Sequence, residues 1–480
     1  MATLLTTVPT MTSGPDEKTA PSAVSSDIKN SDNVYVNGGV QASEQGTIRV
    51  LSVLSAIGST FIGVKLFGIS VPLLSQLPLI IYCLLIFGGR LKLPVREPFV
   101  WFEFYVAVAS LVVLLSLHSS YSGFQGVNIY TAVTSLAIFL PLIACYSSIP
   151  NGKGLLRSSL IVACRFECIW GIAQMLAYTF LSININEIIL GNIFHLTSSN
   201  GWLLQYNAGT ATAVRTELRM AGTTSDGAFF GLFLIIGLVI DKRNLMRAIY
   251  ILAAAISVQR ATVVCMVVVL GIYFVQRLFL LVKQKRDKTS PRVRTVALVI
   301  MALTLGYLLW THYGDFICTR IELMVARFAD GGGHGTNRHL SYIPWSIEAL
   351  LSSDLFTVLF GTGLRTSGVL LSDPNGAFYP FLDSYMRSGV AWAIECDIAT
   401  VVAGTGLIGF ILYASVFYSL FTRCSKEMKT LTLTILLFGV MYDFCSLAIS
   451  VLVFSLLTID ARESKRPSVV PYEGGLNEQG

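Results

Sequence analysis

The stretch IATVVAGTGLIGFILYASVFYSLF, residues 398–421, contains no charged side chain. An α-helix needs roughly 20 consecutive apolar residues to cross the hydrocarbon core of a bilayer. The stretch therefore predicts a membrane-spanning helix. Similar apolar runs predict further spans at 50–68, 72–89, 99–117, 128–148, 158–183, 223–240, 245–259, 261–282 and 295–311.

The last apolar stretch, 430–459, is too long for one ordinary span, and Asp443 lies near its middle. A charged side chain at membrane depth is costly. We therefore predict two short spans that turn near Asp443, which brings the total to twelve. A single tilted helix is the alternative.

The composition of the whole chain is typical of a membrane protein. Of its 480 residues, 54% are hydrophobic and 13% are charged, whereas a soluble domain carries about 25% charged residues. We predict an all-α fold, a polytopic integral membrane helical bundle at 49–460 with a large helical periplasmic loop. Residues 1–48 are polar and predict a disordered cytoplasmic tail, and 461–480 predict a second cytoplasmic tail.

The sequence offers no pattern for a metal or a cofactor. Its nine cysteines are scattered, mostly in apolar runs, and no CxxC pair or His/Cys cluster occurs. Neither a disulfide framework nor a zinc site is predicted. The net charge of +6 comes from short basic loops, so nucleic acid is not expected as a partner.

The basic loops orient the predicted spans, because short cytoplasmic loops are rich in Lys and Arg. Twelve spans with both termini in the cytoplasm place all of these loops on one side. This arrangement requires two spans within 245–282, with Arg260 at their outer turn. The loops are 90–96, 153–157, 242–247, 283–294 and 423–429, and the basic tail is 462–466.

The loop 312–397 falls on the opposite, outer side and contains five arginines and no lysine. Arginine grips phosphate or carboxylate with two donors, whereas lysine is a point charge. The loop therefore predicts a site for an anionic substrate at the membrane surface. Helical periods are expected at 315–328 and 338–352, with glycines between them. The arginines are Arg320, Arg327, Arg338, Arg365 and Arg387, and the loop also holds His312, His334 and His339.

A second outer loop, 184–222, combines aromatic, amide and charged side chains. It is either a sugar-binding surface, since aromatic rings stack on pyranose rings, or an aromatic belt at the membrane interface. The sequence leaves both interpretations open. Its candidate contacts are His195, Trp202, Arg215 and Arg219.

The polar motif SVQRAT, residues 257–262, interrupts an apolar stretch. Arg260 in this motif either faces a cavity or a partner, as charged groups at membrane depth usually do, or extends from a helix end towards water. We favour the functional interpretation.

Two carboxylates end the large loop. Glu395 and Asp397 are predicted to lie at the outer mouth of the helix 398–421. A carboxylate in that position is stabilised by the helix dipole without any function. It could also be the general base for a sugar hydroxyl. By position alone, the capping role is favoured.

The order of these motifs resembles the O-antigen polymerase and ligase superfamily, the Wzy-type polysaccharide polymerases. The matching segments are SVQRA at 257–261, Arg338 at the start of an amphipathic helix, FGTG at 360–363, and Glu395 placed before GLIG at 406–409. The resemblance covers roughly residues 50–460 as topology.

Family members often have His-Asn where this chain has Glu395-Cys396, and that difference favours a polymerase over a ligase. The resemblance implies a multi-pass protein of the bacterial inner membrane that joins oligosaccharide repeat units at the periplasmic face. Its substrate would be an undecaprenyl-diphosphate-linked oligosaccharide. A chain-length regulator and a flippase would be its partners, beside membrane lipid.

The implied enzyme is a glycosyltransferase that uses neither a metal nor a cofactor. Outer arginines would stabilise the charge that grows on the lipid diphosphate as it leaves. On this resemblance Glu395 is the base for the acceptor hydroxyl, with Asp397 as the second candidate. The expected diphosphate contacts are Arg260, Arg320, Arg327 and Arg338, and further substrate contacts are Arg215, Arg219, His339 and Trp202.

Two other classes of function compete with this hypothesis. A transporter or flippase of lipid-linked oligosaccharide would show internal repeats and broken helices at the midplane, and the sequence shows no convincing repeat. A membrane acyltransferase would use His334 or His339, both of which fall on the outer side.

Overall fold

The computed structural model describes residues 42–115, 125–198, 205–210, 213–218, 220–224, 227–257, 259–284, 336–371, 394 and 396–464. The chain divides into two units, Met1–Thr47 and Ile48–Gly480, and the helical bundle belongs to the second. The described part is mostly helical. The all-α class predicted from the sequence is therefore confirmed.

The described α-helices, numbered in chain order, are α1 (Ala42–Gly58), α2 (Val71–Leu74), α3 (Leu77–Phe87), α4 (Pro98–Leu115), α5 (Gln125–Thr134), α6 (Leu140–Ser148), α7 (Gly152–Leu181), α8 (Gly227–Ile240), α9 (Asn244–Ser257), α10 (Arg260–Gln284), α11 (Thr336–Leu351), α12 (Leu355–Phe360), α13 (Asp397–Arg423), α14 (Lys426–Met441) and α15 (Ala448–Glu463). The π-helical segments are Ser135–Phe139 and Asn186–Ile193, and the 3-10 segments are Gly88–Arg90 and Leu364–Leu371.

Short strands add two small antiparallel sheets to the helices. The first has the order β2-β1-β3, and the second is a hairpin of β4 and β5. The strands are β1 (Val64–Leu66), β2 (Ile69–Ser70), β3 (Thr197–Ser198), β4 (Gln205–Thr210) and β5 (Ala213–Leu218).

Among the described residues, five helical segments are long and apolar enough to cross a membrane. They indicate a membrane-embedded protein, as the composition predicted. Three more apolar helices are shorter, Gly227–Ile240, Asn244–Ser257 and Ala261–Arg277. The long segments are Val71–Arg90, Pro98–Leu115, Gln125–Ser148, Gly152–Leu181 and Asp397–Arg423.

The helices differ from two boundaries predicted at the start of the chain. The helix α1 begins at Ala42, so the last residues of the predicted tail 1–48 are helical. The same helix ends at Gly58, so the predicted span 50–68 stops halfway. Gly63 and Gly68 have φ angles of 75° and 82°, which a right-handed helix does not accommodate. The strands β1 and β2 form there instead.

The apolar stretch 430–459 forms two helices, α14 and α15, with a turn at 442–447 that contains Asp443. The predicted division near Asp443 is confirmed. The helical run predicted at 338–352 is also confirmed, as α11. The predicted span 295–311 and the predicted helix 315–328 lie outside the described residues.

The helix α13 differs from the uninterrupted span that its sequence predicted. Gly406 has a φ of 65° and a ψ of −167°, so the helix is broken there. The segment after α12 docks beside the break: the Thr362 N–H donates to the Ala403 carbonyl at 3.0 Å, and the Gly363 N–H donates to the Gly404 carbonyl at 2.8 Å. The Gly-x-Gly segment therefore binds α13 backbone to backbone.

Glycine is required at this contact. Gly361 has a φ of 71°, and a Cβ added to it would lie 2.4 Å from the backbone carbonyl carbon of Gly404. A Cβ on Gly406 would lie 2.5 Å from the backbone of Leu359. Tyr105 of α4 holds the same contact from the side, because its hydroxyl donates to the Leu359 carbonyl at 2.8 Å.

Ion pairs join several of the basic loops at one end of the bundle. Lys153 pairs with Asp460 at 2.8 Å, and Arg157 pairs with Glu427 and donates to the Ile240 carbonyl at 2.8 Å. These contacts link the start of α7, the end of α8, the start of α14 and the end of α15. Arg423, at the end of α13, pairs with Glu97 before α4. These loops, which the charge rule assigned to one side, thus lie together.

The Arg165–Asp241 pair at this end is bidentate, with N–O distances of 2.7 Å and 2.9 Å. Burial of Asp241 opposes its ionisation, but hydrogen bonds from Arg165 and from the Arg243 N–H hold its pKa below the ordinary value of 3.8. A lowered pKa stabilises the fold at all pH values above the ordinary pKa. That stabilisation is lost as the pH falls through the folded-state pKa.

Replacing Asp241 with asparagine should lower the free energy of unfolding by about 1.5–3 kcal/mol at neutral pH, the contribution of hydrogen bonds to a charged group. Melting temperatures of the purified protein in detergent, measured from neutral to acid pH, test this. The difference from wild type should shrink once the pH falls below the folded-state pKa. Replacement of the exposed Glu187 with glutamine is the control, and equal melting temperatures of Asp241→Asn and wild type at neutral pH would contradict the prediction.

Candidate functional site

Arg365 lies at the centre of a group of polar side chains at the other end of α13 and α14. It belongs to the 3-10 segment Leu364–Leu371, directly after the Gly-x-Gly segment that docks on α13. Its side chain is half-buried, and its Nη2 donates to the Ser446 carbonyl at 2.6 Å. The guanidinium lies over the ring of Tyr130 in α5, 5.1 Å from the ring centroid. The segment thus presents a fixed cation to the bundle.

Two carboxylates lie within electrostatic reach of Arg365. Asp443, in the turn between α14 and α15, is partly buried and bonds the Ser446 hydroxyl. Glu103, in α4, is 3% exposed and accepts a hydrogen bond from the Ser135 hydroxyl at 3.2 Å. Ser135 opens a π-helical segment, a feature that is frequent at functional sites. Charges at membrane depth are costly and usually mark a functional site.

Asp397 anchors the turn that carries Asp443. Its Oδ1 accepts hydrogen bonds from the backbone N–H groups of Phe444 and Cys445, at 2.6 Å and 2.7 Å. Its Oδ2 accepts from the Tyr413 hydroxyl at 3.1 Å. Asp397 is 1% exposed. The carboxylate therefore satisfies backbone groups of another segment.

The sequence-based placement of Asp397 is therefore wrong in one respect. It does not lie at an open outer mouth of α13, because it is fully buried. It does lie in the first turn of α13, where the helix dipole stabilises a carboxylate, but its hydrogen bonds go to the 442–447 turn and Tyr413. A ligand at the protein surface cannot reach a carboxylate whose oxygens are both buried and hydrogen-bonded.

Within the described residues, ligand atoms of Asp397, Asp443 and Cys445 lie within 4.8 Å of one another, a spacing compatible with a metal ion. Asp397 already accepts three hydrogen bonds there, and Arg365 supplies positive charge beside Asp443. Protein donors therefore already occupy the oxygens of Asp397, and Arg365 supplies one positive charge beside the two carboxylates.

The helix α11 packs against this group. Tyr342 of α11 joins a core cluster with Leu371, Cys396 and Ala399, which links it to the Arg365 segment and to the start of α13. Arg338 and His339 lie in the first turns of α11, for which the structure describes only the backbone. The structure thus brings the helix that carries Arg338 next to the Arg365 segment.

The motif 257–262 lies at the junction of α9 and α10, and Arg260 is the first residue of α10, again described by its backbone. Gln259 is 3% exposed, its Nε2 lies against Gly227, and this nitrogen has no hydrogen-bond partner among the described residues. The neighbouring Phe229 contacts the ring of Tyr442 in the turn that carries Asp443. The motif therefore faces the same end of the bundle as Arg365.

The predicted loop 184–222 is tied to α7 by buried polar contacts. Gln174 accepts hydrogen bonds from the N–H groups of Ala221 and Gly222, at 3.2 Å and 3.0 Å. Asn186 donates to the Gly222 carbonyl at 2.7 Å and accepts from the indole of Trp170 at 2.7 Å. The loop therefore has a fixed base. His195, a candidate contact of this loop, has a φ of 52°, which lies in the left-handed region of backbone conformation.

The other sequence-based candidates gain no contacts from the structure. Arg215 lies in β5, of which only the backbone is described. A further five candidates lie outside the described residues: Trp202, Arg219, Arg320, Arg327 and Glu395.

The residue that sequence reasoning missed is Arg365. The arginine count of the large loop included it, but no motif gave it a role. Its position two residues after Gly363 was the available signal, because a Gly-x-Gly turn allows a close backbone approach. Which helix the turn approaches cannot be deduced from such a short motif.

Comparison with known proteins gives no family, since no family model matches the chain and no curated protein matches it.

Proposed function

We propose that this membrane protein is a polysaccharide polymerase, a glycosyltransferase of the Wzy type that joins undecaprenyl-diphosphate-linked oligosaccharide units at the periplasmic face of a bacterial inner membrane. The product would be an O-antigen, a capsule or an exopolysaccharide. The observation that carries the proposal is Arg365, a cation held between α5 and the 442–447 turn, beside the helix of Arg338.

The chemistry needs a cation at this position. In the reaction, the bond between the anomeric carbon and the diphosphate oxygen breaks, and the acceptor hydroxyl forms the new glycosidic bond. Negative charge grows on the departing diphosphate, and preorganised donors stabilise it. A guanidinium has five N–H donors, and the hydrogen bond to the Ser446 carbonyl uses Nη2 of Arg365. The remaining donors suit phosphate oxygens.

The acceptor hydroxyl must lose a proton to a base. We propose Glu395 for this role because it directly precedes the buried Cys396 and Asp397 in the sequence. Asp397 is no longer a candidate, since its oxygens bond the 442–447 turn and Tyr413. The Nε2 of Gln259, which has no hydrogen-bond partner among the described residues, suits a sugar hydroxyl or a phosphate oxygen.

The orientation of the protein is part of the proposal. Twelve spans, both termini in the cytoplasm and a periplasmic loop at 312–397 would place Arg365 outside. The ion pairs that join the basic loops at the opposite end support this orientation, because short loops rich in Lys and Arg stay in the cytoplasm.

A transporter or flippase of the same lipid-linked oligosaccharide is the second candidate. The break of α13 at Gly406 favours it, because interrupted helices are typical of transporters. Glu103, buried in α4, is a further feature that transporters use.

Deletion of the gene separates these functions. For a polymerase, we expect single repeat units on the lipid carrier, exposed on the periplasmic side, and no long polymer. Complementation with the wild-type gene should restore the polymer. Repeat units retained on the cytoplasmic side would instead support the flippase. Full-length polymer on the carrier without transfer to its final acceptor would support a ligase.

A further inference from the structure

Glu167, in the middle of α7, is fully buried and lies away from Arg365. Its Oε1 accepts a hydrogen bond from the Thr223 N–H at 2.8 Å, and its Oε2 lies 2.7 Å from the Thr223 hydroxyl. That hydroxyl lies 2.8 Å from the hydroxyl of Thr60, which in turn lies 2.8 Å from the Ile57 carbonyl. Four groups thus form one continuous chain.

The chain contains three oxygen–oxygen contacts but only two hydroxyl protons. A carbonyl oxygen can only accept, so the Thr60 proton goes to Ile57 and the Thr223 proton goes to Thr60. The contact between Thr223 and Glu167 then lacks a proton. We propose that Glu167 is a proton-binding site that is occupied at neutral pH. Its carboxylic acid then donates a hydrogen bond to the Thr223 hydroxyl. This hydrogen bond latches the 220–224 turn onto α7, that is, it holds the turn against the helix.

The ionised form of Glu167 has a different arrangement. Thr60 would donate to Thr223 and Thr223 to the carboxylate, and the bond to Ile57 would be lost. That loss is small, because the Ile57 carbonyl also accepts the Thr60 N–H at 2.9 Å. The decisive difference is the charge. An ionised carboxylate buried without a paired cation costs far more free energy than one neutral hydrogen bond.

No lysine or arginine side chain in the described part of the chain bonds to Glu167. Arg165, two residues away on the same helix, is occupied by Asp241. Other titratable groups on α7 and on the helices that pack against it include thiols, phenols and paired ions. They are Cys164 and Cys168 on α7, Tyr250 on α9 beside Asp241, Tyr146 on α6 bonded to Ser52, and Asp460 on α15 paired with Lys153.

The proton matters because of what the 220–224 turn connects. The turn joins the β4–β5 hairpin to α8, and its other side-chain anchors, Gln174 and Asn186, are neutral amides. Glu167 is therefore its titratable anchor in the described structure. The turn lies close against the Glu167 side chain. Gly222 has a φ of 61°, and a Cβ added to it would lie 1.8 Å from Glu167 Oε1. Loss of the proton would place a charge against this turn and loosen it. This inference does not depend on the proposed function.

Infrared spectroscopy of the full-length protein in lipid nanodiscs tests the proton directly. At neutral pH, the difference spectrum between wild type and Glu167→Gln should contain the C=O band of a protonated carboxylic acid. The control, exposed Glu187→Gln, should remove a carboxylate band instead. Loss of a carboxylate band in Glu167→Gln would overturn the proposal.

Two further measurements test the hydrogen bond to Thr223 and the attachment of the 220–224 turn to α7. The first does not require the Glu167→Gln variant to fold. Thr223→Val removes the acceptor of the acid proton, so the acid band should move to higher frequency; an unmoved band would overturn the proposed donor.

Hydrogen exchange of residues 220–224, corrected for intrinsic rates, should rise with pH in wild type but not in Glu167→Gln, whose amide makes the same two contacts. An equal rise in both would overturn the latch.

Discussion

Arg365→Ala should abolish long polymer while the protein stays inserted in the membrane at its normal level. The change removes the cation that we propose for the leaving diphosphate. Loss of one preorganised donor in such a site costs about 10²–10³-fold in rate. The length distribution of the glycan on a gel, in a deletion strain that carries the variant, measures the effect, with an epitope tag to quantify the protein.

Two control variants separate this role from a general effect of charge. Arg365→Lys keeps the charge but loses the two-donor grip, so it should give shorter or less polymer than wild type. Arg277→Ala removes an exposed arginine from α10 and should leave the polymer unchanged. Normal polymer from Arg365→Ala at a normal protein level would contradict the assignment.

Asp397→Ala should destabilise the fold more than any other single change proposed for this protein. The change leaves three buried donors without an acceptor, namely the N–H groups of Phe444 and Cys445 and the hydroxyl of Tyr413. Each unsatisfied buried group costs about 1–3 kcal/mol, and whole domains have only about 5–15 kcal/mol of stability. We expect little protein in the membrane and a large fall in the melting temperature in detergent.

The matched variant Asp397→Asn distinguishes structure from catalysis. Its side-chain oxygen still accepts from the two N–H groups, and its amide nitrogen can donate to the Tyr413 oxygen. We therefore expect near-normal protein levels and normal polymer. A well-folded Asp397→Asn protein that makes no polymer would restore Asp397 as a catalytic candidate. An Asp397→Ala protein as stable as wild type would refute the anchoring role.

The membrane character of the protein follows from the sequence because it depends on local properties. In a bilayer, a run of apolar residues must make its backbone hydrogen bonds internally, and a helix does so within the run itself. The division of 430–459 is also local, since a carboxylate at Asp443 interrupts the apolar run. The amphipathic period of α11 is a third local signal.

The candidate site could be predicted only in part. The order of the arginine-bearing motifs pointed to one end of the bundle, and the structure places α11 and the start of α10 there. Arg365 could not be selected among five loop arginines, because its role depends on Ser446 and Tyr130, far away in the chain. Glu395 remains a candidate on its position in the sequence alone, because it lies outside the residues that the structure describes.

By itself, the sequence determined an all-α membrane protein, most of its helix positions and the grouping of its basic loops. Only the tertiary structure decided that α13 breaks at Gly406, that Asp397 anchors a turn 47 residues away, and that Arg365 stands among carboxylates. The physical reason is the range of the interactions. Hydrophobic burial of a helix is settled within one run of sequence, whereas a buried charge or a broken backbone is stabilised by partners that only the packing of distant segments supplies.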